Sequence, residues 1–155
     1  MIREMTEADL EAVTDIERRQ FPVSPWTAEA FEYEMTGNPF AFLYCYEKDG
    51  KVIGFADLWI TYDKAQIASI AVHPEYTGKG YGSELMRFCI SEAVRNDCET
   101  LSLEVRVSNQ PALGLYEKYG LIKAALRKGY YEDGEDAWLM VKPTGGLEYD
   151  NDTGN

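Results

Sequence analysis

The chain has 155 residues, 45% of them hydrophobic and 27% charged, with a formal net charge of −12. That size fits one domain with one core. The acidic excess argues against nucleic acid as a partner and favours cationic substrates such as an ammonium group or a basic peptide. Three cysteines (Cys45, Cys89, Cys98) with no CxxC spacing and a single histidine, His73, exclude a disulfide framework and a histidine-rich metal centre, so no metal is expected. No apolar run approaches bilayer length, and MIREMTEADLEAV has early acids and no unbroken apolar stretch, unlike a signal peptide. The protein is expected in the cytoplasm, away from membranes.

Along the chain, Thr6 to Glu17 predicts a first helix, capped by Thr6 with Asp9 three residues on and striped by Leu10, Val13 and Ile16. FPVSPW (Phe21 to Trp26) reads as a loop broken by two prolines, and Thr27 to Met35 as a short helix closed by Gly37-Asn38-Pro39. Phe40 to Glu47 and Lys51 to Thr61 are β-rich runs around Lys48-Asp49-Gly50, a hairpin turn. Ala65 to His73 is a third strand, followed by the glycine-rich segment Thr77 to Gly82 and a helix over Ser83 to Asn96 with Leu85, Met86, Cys89, Ile90 and Ala93 on one face. Thr100 to Val107 alternates: Leu101, Leu103, Val105 and Val107 share one face, Ser102, Glu104 and Arg106 the other. Pro111 to Lys118 predicts a helix ended by Gly120. Leu121 to Arg127 and Glu135 to Lys142 predict two antiparallel strands around Tyr130-Tyr131-Glu132-Asp133-Gly134. Residues 1–142 are expected to be one domain, and 143–155 a flexible tail with little to bury. The strand–helix–strand unit from Ala65 to Val107 predicts a parallel crossover within an otherwise antiparallel sheet, an α+β fold with helices on both faces.

The segment Thr77-Gly78-Lys79-Gly80-Tyr81-Gly82-Ser83 follows a strand and opens a helix. Glycines let the backbone turn sharply and approach a ligand, and a helix start offers unpaired N–H groups and the positive end of its dipole. Together they suit a pyrophosphate, with Lys79 adding charge. The nucleotide P-loop pattern does not fit, because Lys79 is followed by Gly80. The dinucleotide fingerprint nearly fits as Gly78, Gly80 and Ser83, with Glu99 further on, but too few strands follow for a doubly wound sheet. Coenzyme A presents the same pyrophosphate, and a plain strand-to-helix turn needs one glycine rather than three.

The stretches IASIAVHPEYTGKGYGSELM, LEVRVSNQPALGLYEKYGL and RKGYYEDGEDAWLMVK resemble the GNAT N-acetyltransferases, and within them the RimI-type enzymes, which acetylate protein N-termini, notably that of a small-subunit ribosomal protein. The resemblance runs from Ile2 to Lys142. It implies a mixed, mostly antiparallel sheet with a central parallel strand pair, acetyl-CoA as cosubstrate, and a protein or peptide N-terminus as partner. Its Q/R-x-x-G-x-G/A signature falls on Thr77 to Gly82; Gly80 and Gly82 match, while Thr77 stands where Gln or Arg is usual. It implies that the backbone of Ile70, Ala71 and Val72 runs beside the pantetheine arm, that the Asn109 side chain and Tyr116 meet the cofactor, and that Glu104 and Tyr116 serve as general base and general acid.

The residues themselves allow that chemistry. Acetyl transfer from a thioester needs a neutral amine and a proton for the departing thiolate; a carboxylate and a phenol can supply these. Glu104 has a simpler reading, an ion pair with Arg106 on the same face, and Tyr116 that of a core tyrosine beside Leu113. Trp26, Tyr130, Tyr131, Glu132 and Asp133 are the candidates for contact with the acceptor, against a reading as ordinary loop residues. Cys89 lies on an apolar stripe and reads as core, so direct transfer without an acyl-enzyme is expected. A small-amine or lysine acetyltransferase, and a non-catalytic CoA-binding module, remain the alternatives.

Overall fold

A computed structural model describes residues Met1–Glu148. They form seven strands and four α-helices: β1 Ile2–Glu4, α1 Leu10–Gln20, α2 Ala28–Thr36, β2 Ala41–Lys48, β3 Lys51–Thr61, β4 Lys64–Val72, α3 Tyr81–Arg95, β5 Thr100–Arg106, α4 Gln110–Lys118, β6 Ile122–Arg127 and β7 Ala137–Pro143. The strands make one sheet in the order β1-β2-β3-β4-β5-β7-β6. The β4–β5 ladder is parallel, from Lys64↔Thr100 to Gln66↔Ser102, and β1–β2, β2–β3, β5–β7 and β6–β7 are antiparallel. This is the mixed α+β architecture expected from the sequence. By compactness the chain groups into two units, Met1–Trp59 with Ala68–Leu85, and Ile60–Ile67 with the residues from Met86 on.

In the first unit, Met5, Val13, Ile16, Phe31, Leu43, Cys45, Phe55 and Ala71 form a buried cluster. The turn between β2 and β3 has Asp49 at φ 52° and Gly50 at φ 77°; two successive left-handed residues match the twist of a tight hairpin. Gly54 has a packing role: a Cβ there would stand 3.1 Å from the Ala71 carbonyl oxygen and 3.2 Å from Leu85 Cδ1. Its absence lets the start of α3 lie close on β3. In the second unit, β5 alternates as its sequence requires, with Leu101, Leu103 and Val105 buried and Ser102, Glu104 and Arg106 partly open. After α4, Gly120 takes φ 89° and Leu121 N–H donates to the Tyr116 carbonyl at 3.1 Å, closing the helix end.

Three expectations need correction. The first helix does not run unbroken from Thr6: a 3₁₀ turn over Glu7–Asp9 precedes α1. Asp9 accepts from Thr6 N–H at 2.7 Å and from both terminal nitrogens of Arg3 at 2.8 and 2.9 Å, and this grip holds the first turn tight. The Arg3 guanidinium brings the Asp9 carboxyl down to about 2, against the cost of its burial. β1, absent from the sequence reading, pairs Ile2↔Tyr46 through Glu4↔Tyr44. The chain is also not free from Pro143: Pro143 pairs with Thr100, and the buried Thr144 donates its hydroxyl to the Cys98 carbonyl at 2.7 Å and its N–H to Glu99 at 2.8 Å. The rest of the expected tail, from residue 149 on, lies outside the described residues.

One buried pair in the first unit makes stability depend on pH. Asp57 on β3 is fully buried and neither of its carboxyl oxygens receives a hydrogen bond. Its neighbour Glu34 accepts from Trp59 Nε1 at 2.5 Å and Asn38 Nδ2 at 2.9 Å. A proton on Asp57 lets it donate to Glu34, and burial, followed by the bond to and charge of Glu34, pushes the Asp57 carboxyl up to about 9. The folded state therefore holds a proton that the unfolded chain releases near pH 4. This contribution is complete below about pH 4 and is lost as pH rises toward 9. Asp57→Asn keeps a donor for Glu34 and removes the titration. Relative to wild type, its Tm is expected to gain about 3–5 °C per pH unit between pH 5 and 8; parallel Tm–pH curves would contradict a protonated Asp57.

Candidate active site

β4 leads through a 3₁₀ turn, Pro74–Tyr76, into the glycine segment and α3. His73 Nδ1 accepts from Glu75 N–H at 3.1 Å, and the Thr77 hydroxyl donates to the Pro74 carbonyl at 3.0 Å. Thr77 thus locks the turn from within. Gly78 and Gly80 have φ 77° and 92°, and a Cβ built on either meets nothing within 4 Å. Both conformations favour glycine, and a side chain on either would stand in the open space beside the helix start. Gly82 and Ser83 lie in the first turn of α3, where N–H groups have no intrahelical acceptor; Glu84 N–H is bonded to the Gly80 carbonyl at 3.1 Å. Left-handed glycines in open space at a helix start make a turn of the kind that can hold an anion.

Aromatic rings and cations surround this turn. Tyr81 lies 5.0 Å from Tyr46 and 6.4 Å from Tyr76, centroid to centroid. Lys79 Nζ lies 5.6 Å from the Tyr76 ring centre and Lys48 Nζ 6.0 Å from that of Tyr81. Glu84 is a first-turn acid, which a bound phosphate would disfavour. The Tyr46 hydroxyl bonds it, and burial together with that carboxylate pushes the Tyr46 phenol up to about 12. Of Ile70, Ala71 and Val72 on β4, the last two are buried and Ile70 is partly exposed. The Val72 carbonyl is taken by Gln20 Nε2 at 2.5 Å, which commits that carbonyl to α1.

In the second unit, Glu104 points from the polar face of β5 with 13% of its side chain exposed. It does not pair with Arg106. Arg127 Nε on β6 lies 3.5 Å from Oε1, Gln66 Nε2 on β4 lies 3.5 Å from Oε2, and the Tyr130 hydroxyl bonds the same carboxylate. Arg106 instead grips the β6–β7 loop: Nη1 donates to Asp133 at 2.9 Å and Glu135 at 2.9 Å, and its guanidinium lies 4.1 Å from the Tyr131 ring centre. Asp133 is therefore engaged by a cation of its own chain, while Tyr130 and Glu132 stay exposed. Tyr130 and Tyr131 meet edge to face at 5.0 Å, and burial pushes the Tyr131 phenol up to about 12.

Tyr116 on α4 is buried, and that burial, with Tyr131 and Cys89 nearby, raises its phenol above the ordinary value, so it stays protonated at neutral pH. Asn109 caps α4, its Oδ1 accepting from Ala112 N–H at 3.3 Å; its amide nitrogen is the end left to meet a ligand. Trp26 is partly buried, its indole 5.2 Å from Phe31. The sequence reading missed the donors around Glu104, because Gln66, Arg127 and Tyr130 converge from distant segments. It also missed Glu17, whose signal was local: it falls on the apolar stripe of α1 beside Val13 and Ile16.

The Acetyltransferase (GNAT) family model matches residues 10–121. The chain belongs to the GNAT acetyltransferase family. It is an N-acetyltransferase of the RimI type, and the family's acyl donor is acetyl-CoA. A protein of Bacillus subtilis (strain 168), named provisionally as a ribosomal protein bS18-alanine N-acetyltransferase, is 45% identical over 140 residues, 90% of this chain and 92% of that one. The ribosomal protein bS18-alanine N-acetyltransferase of Escherichia coli (strain K12) is 35% identical, covering 92% of this chain and 96% of the relative. The crystal structure of the Escherichia coli ribosomal-protein-S18-alanine N-acetyltransferase superposes with a TM-score of 0.84 at 33% identity, over 97% of both chains. That of Ard1 from Thermoplasma volcanium gives 0.84 at 27% identity, over 96% of this chain and 98% of that one.

The left-handed glycines give this site its first test. Gly80→Val is expected to weaken acetyl-CoA binding by about tenfold or more, since it strains the turn and places a side chain in the open space. Titration calorimetry with acetyl-CoA reads the affinity; an unchanged Kd would remove this turn from the binding site.

Proposed function

We propose that the chain acts as one acetyltransferase domain, reaching at least to Thr144, that moves the acetyl group of acetyl-CoA onto the N-terminal α-amine of a protein in the cytoplasm, with the alanine N-terminus of ribosomal protein bS18 as the leading candidate. The acceptor rests on the two bS18-alanine relatives, each matched over at least nine-tenths of this chain. The family match at 10–121 runs through both compact units, which supports their acting as one. Among the described residues no helix is long and apolar enough to cross a membrane.

The observation that carries the chemistry is the setting of Glu104: a nearly buried carboxylate ringed by the Tyr130 hydroxyl, Arg127 and Gln66. Such a group can accept a proton from the acceptor ammonium, directly or through water. The freed amine forms a bond to the thioester carbonyl carbon, the carbon–sulfur bond breaks, the departing thiolate takes a proton from the Tyr116 hydroxyl, and the proton that the nitrogen sheds on becoming an amide restores that hydroxyl. Donor binding is assigned to Gly78, Lys79, Gly80, Tyr81, Gly82 and Ser83 for the pyrophosphate, and to Ile70, Ala71, Val72, Asn109 and Tyr116 for the arm and thioester. Acceptor contacts are assigned to Trp26, Tyr130, Tyr131, Glu132 and Asp133. An α-amine titrates near 8 and a lysine near 10.4, so at pH 7 the α-amine has roughly several hundred times more neutral form. A carboxylate base is sufficient for such an acceptor.

Thiol release from acetyl-CoA distinguishes the acceptors. The panel is an alanine-first peptide with a free N-terminus and no lysine, a blocked peptide with one lysine, and a polyamine. Release with the first alone is the expected result. Release only with lysine or polyamine would overturn the acceptor and keep the enzyme class, and acetyl-CoA binding without release from intact bS18 or any of the three would favour a binding module.

A further inference from the structure

Glu17 is a buried carboxylate that neither the donor site nor the proton transfers use. It sits near the end of α1 with 3% of its surface exposed, on the stripe that otherwise buries Val13 and Ile16. Burial raises its carboxyl, offset in part by the hydrogen bonds it accepts. A packing role at this position would be served by an apolar side chain, because burying a carboxylate is costly without compensating donors. Two donors are present, one on each oxygen. Ser69 Oγ on β4 donates to Oε1 at 2.9 Å, and Trp26 N–H donates to Oε2 at 3.1 Å.

These partners belong to two different functional segments. Ser69 precedes Ile70–Val72, the stretch assigned to the cofactor arm. Trp26 closes the loop from Phe21, which contains Pro22, Pro25 and a left-handed Ser24 at φ 54°. Within this loop the Trp26 indole is set down on Phe31, and Phe31 meets Phe55 edge to face at 5.4 Å. Three residues further along α1, Gln20 adds the bond to the Val72 carbonyl. The end of α1 therefore ties the loop to the cofactor strand, and Glu17 bonds both.

We propose that Glu17 is a positioning residue for the acceptor: it fixes the loop from Phe21 to Trp26 against β4, so that the acceptor contact made by this loop keeps its register with the donor. The inference rests on the assignment of Trp26, which ends this loop, to the acceptor. Charge-assisted hydrogen bonds of this kind hold geometry more firmly than neutral ones. Glutamine can preserve both contacts, with its oxygen accepting from Trp26 N–H and its amide donating to a rotated Ser69 hydroxyl. Alanine loses both.

The test is steady-state kinetics with the acceptor varied at saturating acetyl-CoA and the reverse. Glu17→Ala is expected to raise the acceptor KM about tenfold or more, with the acetyl-CoA KM within about twofold of wild type. Glu17→Gln should restore the acceptor KM to within a few-fold. Ser69→Ala should raise it by a smaller factor, and Ser69→Ala added to Glu17→Ala should change nothing more, since the two act through one bond. A lower Tm with both KM values unchanged, or both raised equally, would make Glu17 a fold element only and overturn the proposal. If Glu17→Ala does not fold, Ser69→Ala decides: an unchanged acceptor KM overturns the proposal. Should wild type prefer a polyamine or lysine, the same comparison is run with that amine, so failure of the N-terminal reading and of the Glu17 role remain separate results.

Discussion

The constraint on which the rest depends is the passage from β4 into α3. A strand must end, turn without a side chain in the way, and begin a 15-residue helix. Gly78 and Gly80 in left-handed conformations make that turn possible, and Thr77 and His73 lock it through bonds to the turn's own backbone. In the proposed donor site, backbone atoms carry the phosphate contacts. Thr77 is turned inward to Pro74 and offers no charge, so the local positive field comes from the helix start and from Lys79 and Lys48.

That local field matters because the protein as a whole is strongly acidic. A net charge of −12 repels a polyanionic donor at long range and attracts a cationic acceptor. Binding the donor therefore requires short-range contacts that outcompete the global field, and the affinity for acetyl-CoA should strengthen as salt screens the repulsion. Several acids are also engaged by specific partners: Asp9 by Arg3, Glu34 by Trp59 and Asn38, Glu84 by Tyr46, Asp133 and Glu135 by Arg106. Glu104 is held differently, by two contacts at 3.5 Å and a phenol hydroxyl, so its carboxylate is not closed off by a short, bidentate cation.

Local pattern accounts for what the sequence disclosed. The alternation through Thr100 to Arg106, the Lys48-Asp49-Gly50 turn and the Gly120 helix end are read from neighbours within a few residues and stand as expected, while Val107, expected on the buried face, falls in the turn after β5 and is only partly buried. The three residues of β1 are too few to show a period, and their strand character comes from pairing with β2, forty or more residues away. The pairing of Thr144 with Cys98 and Glu99 is long-range in the same way. Glu104 shows the limit for the site: an Arg two residues away on the same face was the natural local partner, yet Arg106 is drawn to the β6–β7 loop and Arg127 arrives from β6. Glu17 was legible in principle as an acid on an apolar stripe.

The central claim is that one carboxylate and one phenol carry the protons of a direct transfer. Single-turnover acetyl transfer by Glu104→Gln and Tyr116→Phe, with the acetyl-CoA Kd measured on the same samples, tests it most directly. The account predicts a chemical step slowed by roughly 10²-fold or more in each variant, with Kd nearly unchanged. Wild-type single-turnover rates in both variants would contradict it.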